Sequence, residues 1–283
     1  MIDRLAIVGV GLLGGSLAKA VRAHGLAREI VGIGRDAGRM QAAVRDGALD
    51  RATTDLAEGV AGAERIVLAA PVLTNETLLP GVWRAAPAGA VVTDVGSTKR
   101  GIVAAADRLA AGRRDVHFVG SHPMAGSDRA GYAVARVDLF QGATVVLTPT
   151  EATDGGAAKS VGELWAAVGA RVVTLDPEVH DRAVAAISHL PHVAAWALVD
   201  AVVRFEPDAL RIAARGFKDT TRIAASDPDV WREILLDNRD AVRASLTAFR
   251  TALDDLEALV VAGDGPALTA YLARMRATRE KLA

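Results

Sequence analysis

The 283-residue chain contains no cysteine. Disulfides, thiolate nucleophiles and cysteine-based metal sites are therefore excluded, which fits a cytoplasmic protein. Aromatic residues make up only 4% of the chain, so we expect its cores to be built mainly from small aliphatic side chains. The formal net charge of −1 argues against a general nucleic-acid binder and against a protein that binds anionic membranes.

Targeting and membrane signals are also missing from the sequence. The N-terminus lacks the charged and apolar regions of a signal peptide. No apolar run approaches the roughly 18 residues that a membrane span needs, so we expect no membrane partner. The chain is long enough for two domains with substantial cores, at 283 residues.

The clearest motif follows the first strand-like run, residues 5–8, and leads directly into a helical pattern. In this context the pattern G-x-G-x-x-G is typical of dinucleotide binding. Gly9 permits a tight turn, Gly11 lets a pyrophosphate approach the backbone, and Gly14 lets helix and strand pack closely. The helix N-terminus would offer N–H groups and a partial positive charge to the phosphates.

The end of the second predicted strand bears on which dinucleotide is bound. An NAD-binding chain usually has an acidic residue about twenty residues after the last motif glycine, where it bonds the ribose 2′-hydroxyl. Here that position falls on Gly34, followed by Arg35 and Asp36. An arginine beside a missing carboxylate suits the 2′-phosphate and favours NADP over NAD; the alternatives are that Asp36 swings in or that Arg35 is solvated. The predicted cofactor-binding residues are Gly9, Gly11, Leu12, Leu13, Gly14, Arg35, Asp36, Ala70 and Pro71.

Strand-like and helical patterns continue to alternate as far as residue 175. Such alternation predicts an α/β fold with a doubly wound, Rossmann-type parallel sheet. Ligands bind such sheets outside the carboxyl ends of the strands. We therefore expect Pro71, residues 96–99 and His122 to converge with the glycine motif on one crevice.

After residue 176 the strand signals stop, which predicts a dinucleotide-binding domain over 1–176 and an all-helical domain over 177–283. Pro191 must kink or interrupt the helix predicted over 178–205. His189 and His192 flank it, but no acidic partner stands at ligand spacing, so we expect no metal site. From residue 242 to 260, apolar residues recur at spacings of four and three, which is typical of packing within a helical domain or against another subunit.

The segment over 120–128, Gly-Ser-His-Pro-Met-Ala-Gly-Ser-Asp, places a histidine among small residues after a strand. Such a histidine can take a proton near neutral pH. It can equally be a loop residue bonded to a neighbouring carbonyl. This segment alone leaves both interpretations open.

Several segments, together with the glycine motif, occur in the order found in one family. They are residues 94–99, 120–127, 139–140, 147–149, 180–181, 188–192, 221–222 and 231–238. On these segments the chain resembles the prephenate and arogenate dehydrogenase family of tyrosine biosynthesis. The resemblance implies an N-terminal domain that binds NAD or NADP, and a helical domain that completes the substrate site and forms a homodimer.

The implied reaction is the oxidative decarboxylation of a cyclohexadiene acid, from prephenate to 4-hydroxyphenylpyruvate or from arogenate to tyrosine. The resemblance implies that His122 is the base for the substrate hydroxyl and that Ser97 bonds the same hydroxyl. Asp128 stands where many members carry glutamate, a departure that leaves its role open. The substrate-binding residues implied by the resemblance are Arg222, His192, Ser188, His189, Asp128, Lys218 and Trp231.

Three alternative functions remain open on the sequence. A dehydrogenase of 4-amino-4-deoxyprephenate, from a specialised pathway, would use the same fold and residues. A β-hydroxyacid dehydrogenase would rely on a catalytic lysine in the helical part, where this chain has residues 188–192. A nicotinamide-binding redox sensor without turnover would keep the glycine motif, but it would have no reason to combine His122, Ser97, His192 and Arg222.

Overall fold

The computed structural model describes residues 1–126 and 129–282. Asp128, one of the predicted site residues, lies outside the described residues. The chain forms two compact units, Met1–Asn238 and Arg239–Ala283. The domain boundary predicted after residue 176 stays a prediction.

The described part of the first unit contains one eight-stranded sheet. Its strands are β1 (Ile2–Val8), β2 (Ala27–Ile33), β3 (Arg51–Thr53), β4 (Arg65–Leu68), β5 (Val91–Asp94), β6 (His117–Pro123), β7 (Thr144–Thr148) and β8 (Arg171–Thr174). They lie in the order β3-β2-β1-β4-β5-β6-β7-β8, and every neighbouring pair is parallel except β6 and β7. The predicted doubly wound fold is confirmed, with one antiparallel pairing added to it.

Helices flank this sheet and continue after it. They are α1 (Leu12–Ala23), α2 (Ala37–Arg45), α3 (Leu56–Val60), α4 (Val72–Ala85), α5 (Arg100–Ala110), α6 (Gly155–Ala167), α7 (Pro177–Val184), α8 (Leu190–Phe205), α9 (Arg215–Thr221) and α10 (Pro228–Asp237). The second unit consists of α11 (Arg239–Ala262) and α12 (Gly265–Glu280). Successive residues of β1 enter two different buried clusters, Leu5 and Ile7 in one and Ala6 and Val8 in the other, because side chains alternate between the faces of a strand.

The strand order places the ligand crevice between β1 and β4. These two strands are neighbours, although β2 and β3 separate them in sequence. The connections therefore leave them in opposite directions, and such a switch point opens a crevice beyond the carboxyl ends of the strands. The glycine motif follows β1, and residues 69–71 follow β4.

β6 is longer than the sequence predicts, and this changes the setting of His122. We expected the strand to end at Val119, with His122 in a loop, but residues 120–123 pair with residues 145–148 of β7. Small residues and a proline carry little strand signal, while Pro123 is tolerated at the end of the strand because its missing N–H costs no ladder bond there. The prediction of a loop was therefore wrong: the sheet itself holds His122.

The interruption predicted at Pro191 is present as a change in helix type. A five-residue π-helix, Ala185–His189, precedes α8, and Pro191 stands in the first turn of α8. The π-helix runs directly into α8, because the N–H of Leu190 donates to the carbonyl of Ala185, and the missing N–H of Pro191 is accommodated at this change of helix type. Ser188 and His189 belong to this π-helix and line the cleft described below.

One stretch of the described residues, Pro177–Phe205, is long and apolar enough, by length and composition alone, to cross a membrane. The mean hydropathy of its most apolar window is 1.4, and 11% of that window is buried. The expectation that no run approaches membrane length was wrong for this stretch, because its polar residues are too few to lower its average. A single such helix is weak support for a membrane span.

Candidate active site

A cleft of about 560 Å³ opens where the ends of β1, β4, β5 and β6 meet residues of the helical part of the first unit. It draws on segments that are far apart in sequence. Its lining includes residues 11–13, 69–72, 95–97, 122–126, 129–131, 188–189, 192, 222–223, 226–227, 230–231 and 234. The crevice predicted from the strand ends is therefore present.

The three motif glycines have different environments. Gly9 has φ +103°, and a Cβ there would lie 2.6 Å from the carbonyl carbon of Ala69. A Cβ on Gly14 would lie 2.0 Å from the carbonyl oxygen of Gly9, so both positions require glycine for packing. A Cβ on Gly11 would meet nothing within 4 Å, and Gly11 lines the cleft.

The N-terminus of α1 is open towards an anion. Its first residue follows Gly11, which offers no side-chain cap, and its first turn has no acidic residue. The orphan N–H groups of a helix start, with the helix dipole, favour phosphate. A cradle that only glycine leaves open and an uncapped helix start fit the phosphates of a dinucleotide.

Arg35 and Asp36, which we predicted to choose between NAD and NADP, follow β2. The Asp36 carboxylate accepts hydrogen bonds from the backbone N–H groups of Gly38 at 2.9 Å and Arg39 at 3.2 Å, and so caps α2. It also pairs with the Arg39 guanidinium at 3.4 Å. Asp36 is thus engaged in its own helix, whereas the Arg35 side chain is exposed.

His122 stands at the floor of the cleft and is 8% exposed. Its Nδ1 lies 2.9 Å from Nε2 of His180, whose Nδ1 lies 2.8 Å from Oδ1 of Asp181. The Asp181 carboxylate also accepts the backbone N–H groups of Lys99 at 2.8 Å and Arg100 at 2.9 Å. Burial holds the pKa of His122 well below its usual value, so the ring is neutral near neutral pH.

Ser97 lines the cleft in the turn between β5 and α5. A fully buried ion pair between Lys99 and Asp94 closes this turn. The Asp94 carboxylate also accepts the backbone N–H groups of Gly96 at 2.8 Å and Ser121 at 3.1 Å. Because these bonds satisfy a charge that burial would otherwise penalise, they fix the turn that presents Ser97.

The opposite wall of the cleft carries stacked rings and an arginine. The ring of His192 stacks on Trp231 with centroids 3.6 Å apart, and its Nδ1 donates to the carbonyl of Ser188 at 2.9 Å. Burial, with the nearby charge of Arg222, lowers the pKa of His192. Arg222 itself lines the cleft, and we find no carboxylate paired with it among the described residues.

His189 also lines the cleft, although it is almost completely buried. Its Nδ1 lies 3.3 Å from the Asn238 amide nitrogen, which donates to the backbone carbonyl of Asp181 at 2.8 Å. Burial lowers the pKa of His189 to about 4. His180 and Asp181 entered the sequence prediction only as a matching segment, and Asn238 only as the end of one. None of the three carried a predicted role, since only tertiary contacts connect them to the cleft.

Most of the predicted site residues meet at this cleft. Those that line it are His122, Ser97, Arg222, His192, Ser188, His189, Trp231, Gly11, Leu12, Leu13, Ala70 and Pro71. Gly9 and Gly14 shape its glycine turn without lining it, while Arg35 and Asp36 lie beyond it and Lys218 is exposed on α9. The individual roles predicted for these residues stay predictions. Within the part of the chain that the structure describes, no group of three or more potential ligands could hold a metal ion.

Comparison with known families matches both halves of the chain. The family model described as "Prephenate dehydrogenase, nucleotide-binding domain" matches residues 17–174, and "Prephenate dehydrogenase, dimerization domain" matches residues 176–274. The prephenate dehydrogenase of Bacillus subtilis (strain 168) is 35% identical over 289 aligned residues, which cover 100% of this chain and 76% of that protein.

Solved structures give the same result for the fold. The prephenate dehydrogenase from A. aeolicus in complex with hydroxyphenyl propionate and NAD+ has a TM-score of 0.93 and 34% identity, covering 100% of this chain and 99% of that one. Synechocystis arogenate dehydrogenase has a TM-score of 0.85 and 32% identity, covering 99% of this chain and all (100%) of that one. The resemblance inferred from the sequence is confirmed, and the chain belongs to the prephenate dehydrogenase family.

Proposed function

We propose that the protein is an NAD(P)-dependent prephenate or arogenate dehydrogenase. The observation that carries the proposal is a neutral, buried His122 on the floor of a cleft that has an anion-binding helix start at one side and Arg222 at the other. Such a cleft offers a phosphate cradle, a base and a carboxylate-binding cation. An oxidative decarboxylation of a hydroxylated cyclohexadiene acid needs all three.

The cofactor site follows from the glycine turn. Gly11 and the start of α1 would hold the phosphates of the dinucleotide, and Ala70 and Pro71 would border it across the cleft. When bound, the nicotinamide supplies the acceptor for the hydride that leaves the substrate. Because Asp36 is engaged as a helix cap and Arg35 is exposed, we propose a preference for NADP over NAD.

The chemical role of the chain's own residues is to remove the proton of the substrate hydroxyl. Nε2 of His122 takes the proton of the substrate hydroxyl as hydride leaves the carbon that bears this hydroxyl. The O–H electron pair becomes part of the new carbonyl. Ser97 bonds that hydroxyl and orients it. The ring carboxylate then departs as carbon dioxide. Its bonding electrons pass through the ring to the carbonyl oxygen, which takes back the proton from His122 as the hydroxyl of the now aromatic ring. A positioned general base contributes roughly 10²- to 10⁴-fold in rate.

Substrate orientation is assigned to the opposite wall. Arg222 would hold a carboxylate of the substrate through two parallel N–H···O bonds, the geometry for which a guanidinium is suited. The stacked rings of His192 and Trp231 would limit how the cyclohexadiene ring can lie. Ser188 and His189 border this wall.

We also propose that two copies of the chain form a homodimer, since residues 176–274 match a dimerization domain. Large apolar side chains are exposed on α11, among them Leu253 at 52% and Val260 at 60%. Exposed apolar residues concentrated in one region are typical of protein–protein interfaces. Light scattering in solution should give twice the chain mass of 29.4 kDa; a mass of one chain would contradict the dimer. A cytoplasmic location stays a prediction.

Initial-rate kinetics test the activity directly. Prephenate and arogenate are each combined with NAD and with NADP, and formation of the reduced nicotinamide is followed by absorbance. Turnover of either substrate supports the proposal, and the four values of kcat/KM rank the substrates and cofactors. Turnover of 4-amino-4-deoxyprephenate alone would favour the specialised-pathway alternative. Tight dinucleotide binding without turnover of any of these substrates would favour a redox sensor.

A further inference from the structure

A chain of three buried side chains runs from the cleft to the start of α5. Its members are His122 on β6 and His180 and Asp181 on α7. We propose that His180 and Asp181 act as positioning residues, which hold His122 in the tautomer that carries its proton on Nδ1 and leaves Nε2 free as the base. The catalytic consequence rests on the proposed function, whereas the tautomer itself does not.

Asp181 is fixed as an acceptor at the far end of this chain. Its Oδ1 and Oδ2 accept the N–H groups of Lys99 and Arg100 at 2.8 and 2.9 Å, at the start of the 11-residue helix α5. Burial alone would raise the pKa of Asp181, but its hydrogen bonds from His180, Arg100 and Lys99 lower it. Asp181 is therefore a carboxylate with no proton to donate.

His180 connects Asp181 to His122, and the carboxylate of Asp181 determines which nitrogen of His180 carries the proton. Its Nδ1 lies 2.8 Å from Oδ1 of Asp181, and because a carboxylate only accepts, Nδ1 must carry the proton. In the neutral ring Nε2 is then an acceptor, and it lies 2.9 Å from Nδ1 of His122. The rings meet edge to face, at an interplanar angle of 75°, as a directional N–H···N bond between two imidazoles allows.

His122 has one nitrogen left for the substrate. Since Nδ1 donates to His180, its proton stays there, and Nε2 keeps a lone pair for the cleft. When Nε2 takes up the hydroxyl proton, the positive charge that develops on His122 is stabilised through His180 by the carboxylate of Asp181. The other charged or titratable groups around His122 are Lys99, which is paired with Asp94, and His189.

Further contacts fix the positions of His180 and Asp181. Asn238 donates to the backbone carbonyl of Asp181 at 2.8 Å, and both residues are buried. His180 is completely buried, so it has no solvent partner that could replace either bond. Neither ring nitrogen of His180 can therefore change from donor to acceptor, or the reverse, without losing its bond to Asp181 or to His122.

Nitrogen-15 NMR of histidine-labelled protein tests the tautomer directly. The His122 signals are identified by their loss in His122→Asn. We expect a protonated Nδ1 and an unprotonated Nε2 at neutral pH. A proton on Nε2 of His122, which an imidazolium at His180 would impose, overturns the proposal.

Kinetics test the consequence for catalysis. In Asp181→Asn the amide can donate to His180, which would then donate to His122 and move the His122 proton to Nε2. We expect kcat to fall by roughly 10²- to 10⁴-fold with unchanged KM and dinucleotide affinity, while the NMR shows the reversed tautomer. Wild-type kcat in this variant overturns the proposal.

Two variants of His180 keep the test decisive if Asp181→Asn does not fold. In His180→Gln the side-chain oxygen can accept from Nδ1 of His122, whereas His180→Leu offers no acceptor. We expect clearly higher kcat in the glutamine variant at matched thermal stability; equal kcat in the two contradicts the positioning role. If the wild type has the expected tautomer but turns over neither substrate, the proposed function fails and the assignment of the tautomer stands.

Discussion

Replacing Gly11 by aspartate should separate cofactor binding from folding, with effects of opposite sign. Gly11 is the residue that precedes α1, and a Cβ there meets nothing within 4 Å. Aspartate is a better helix cap than glycine by a few tenths of a kcal/mol, and a negative charge at a helix start adds about 0.3–1 kcal/mol. Gly11→Asp should therefore be as stable as the wild type or slightly more stable.

The same carboxylate would stand where we place the dinucleotide phosphates. Two like charges roughly 4 Å apart at an effective dielectric constant of about 20 repel by about 4 kcal/mol. That energy corresponds to roughly a thousandfold loss of affinity. Calorimetric titration with NAD and NADP measures the loss, and urea unfolding measures the stability.

Gly14→Ala is the matched control for Gly11→Asp. Its Cβ would lie 2.0 Å from the carbonyl oxygen of Gly9, so the backbone must shift at a cost of about 1–3 kcal/mol. We expect lower stability in Gly14→Ala and lost binding without lost stability in Gly11→Asp. Wild-type dinucleotide affinity in Gly11→Asp would refute the placement of the phosphates.

Three further substitutions follow from the structure. A charged hydrogen bond is worth about 1.5–3 kcal/mol, so Arg222→Ala should raise the substrate KM roughly 10- to 150-fold; an unchanged KM rules out the carboxylate role. Arg35→Ala should raise the KM for NADP and leave that for NAD unchanged, and equal effects on both would contradict the assigned preference. Burial, with the charge of Asp237, raises the pKa of Glu76 from 4.5 to about 7, so its folded-state ionisation costs stability as pH rises through this window. By urea unfolding, Glu76→Gln should match the wild type below pH 4.5 and exceed it at pH 8 by on the order of 1–3 kcal/mol; equal stability at pH 8 would disprove the cost.

Much of the fold was predictable from local patterns. The strand, glycine turn and helix at residues 5–23 were predictable, because turn geometry and close packing dictate where glycine must stand. The direction of β7 carried no such signal. A short apolar run has the same pattern in a parallel and in an antiparallel pair. The sequence therefore could not show that β7 pairs antiparallel with β6, or that this pairing prolongs β6 as far as Pro123 and includes His122.

The residues of the site were more predictable than the hydrogen bonds that connect them. His122, Ser97, His192 and Arg222 stand in recognisable segments and meet at the cleft. The bond between His122 and His180 joins residues 58 positions apart, and its role depends on an N–H···N distance that no spacing rule gives. Asn238 was hidden for the same reason, since its function depends on what its amide reaches.

The most direct measurement of the central claim is the turnover of His122→Asn with the better of the two substrates. We predict that kcat falls by roughly 10²- to 10⁴-fold while the affinity for the dinucleotide stays at the wild-type value. Asparagine approximates the position of Nδ1, so the bond to His180 has a substitute, whereas the base at Nε2 is lost. Wild-type turnover in this variant would contradict the assignment of His122 as the base.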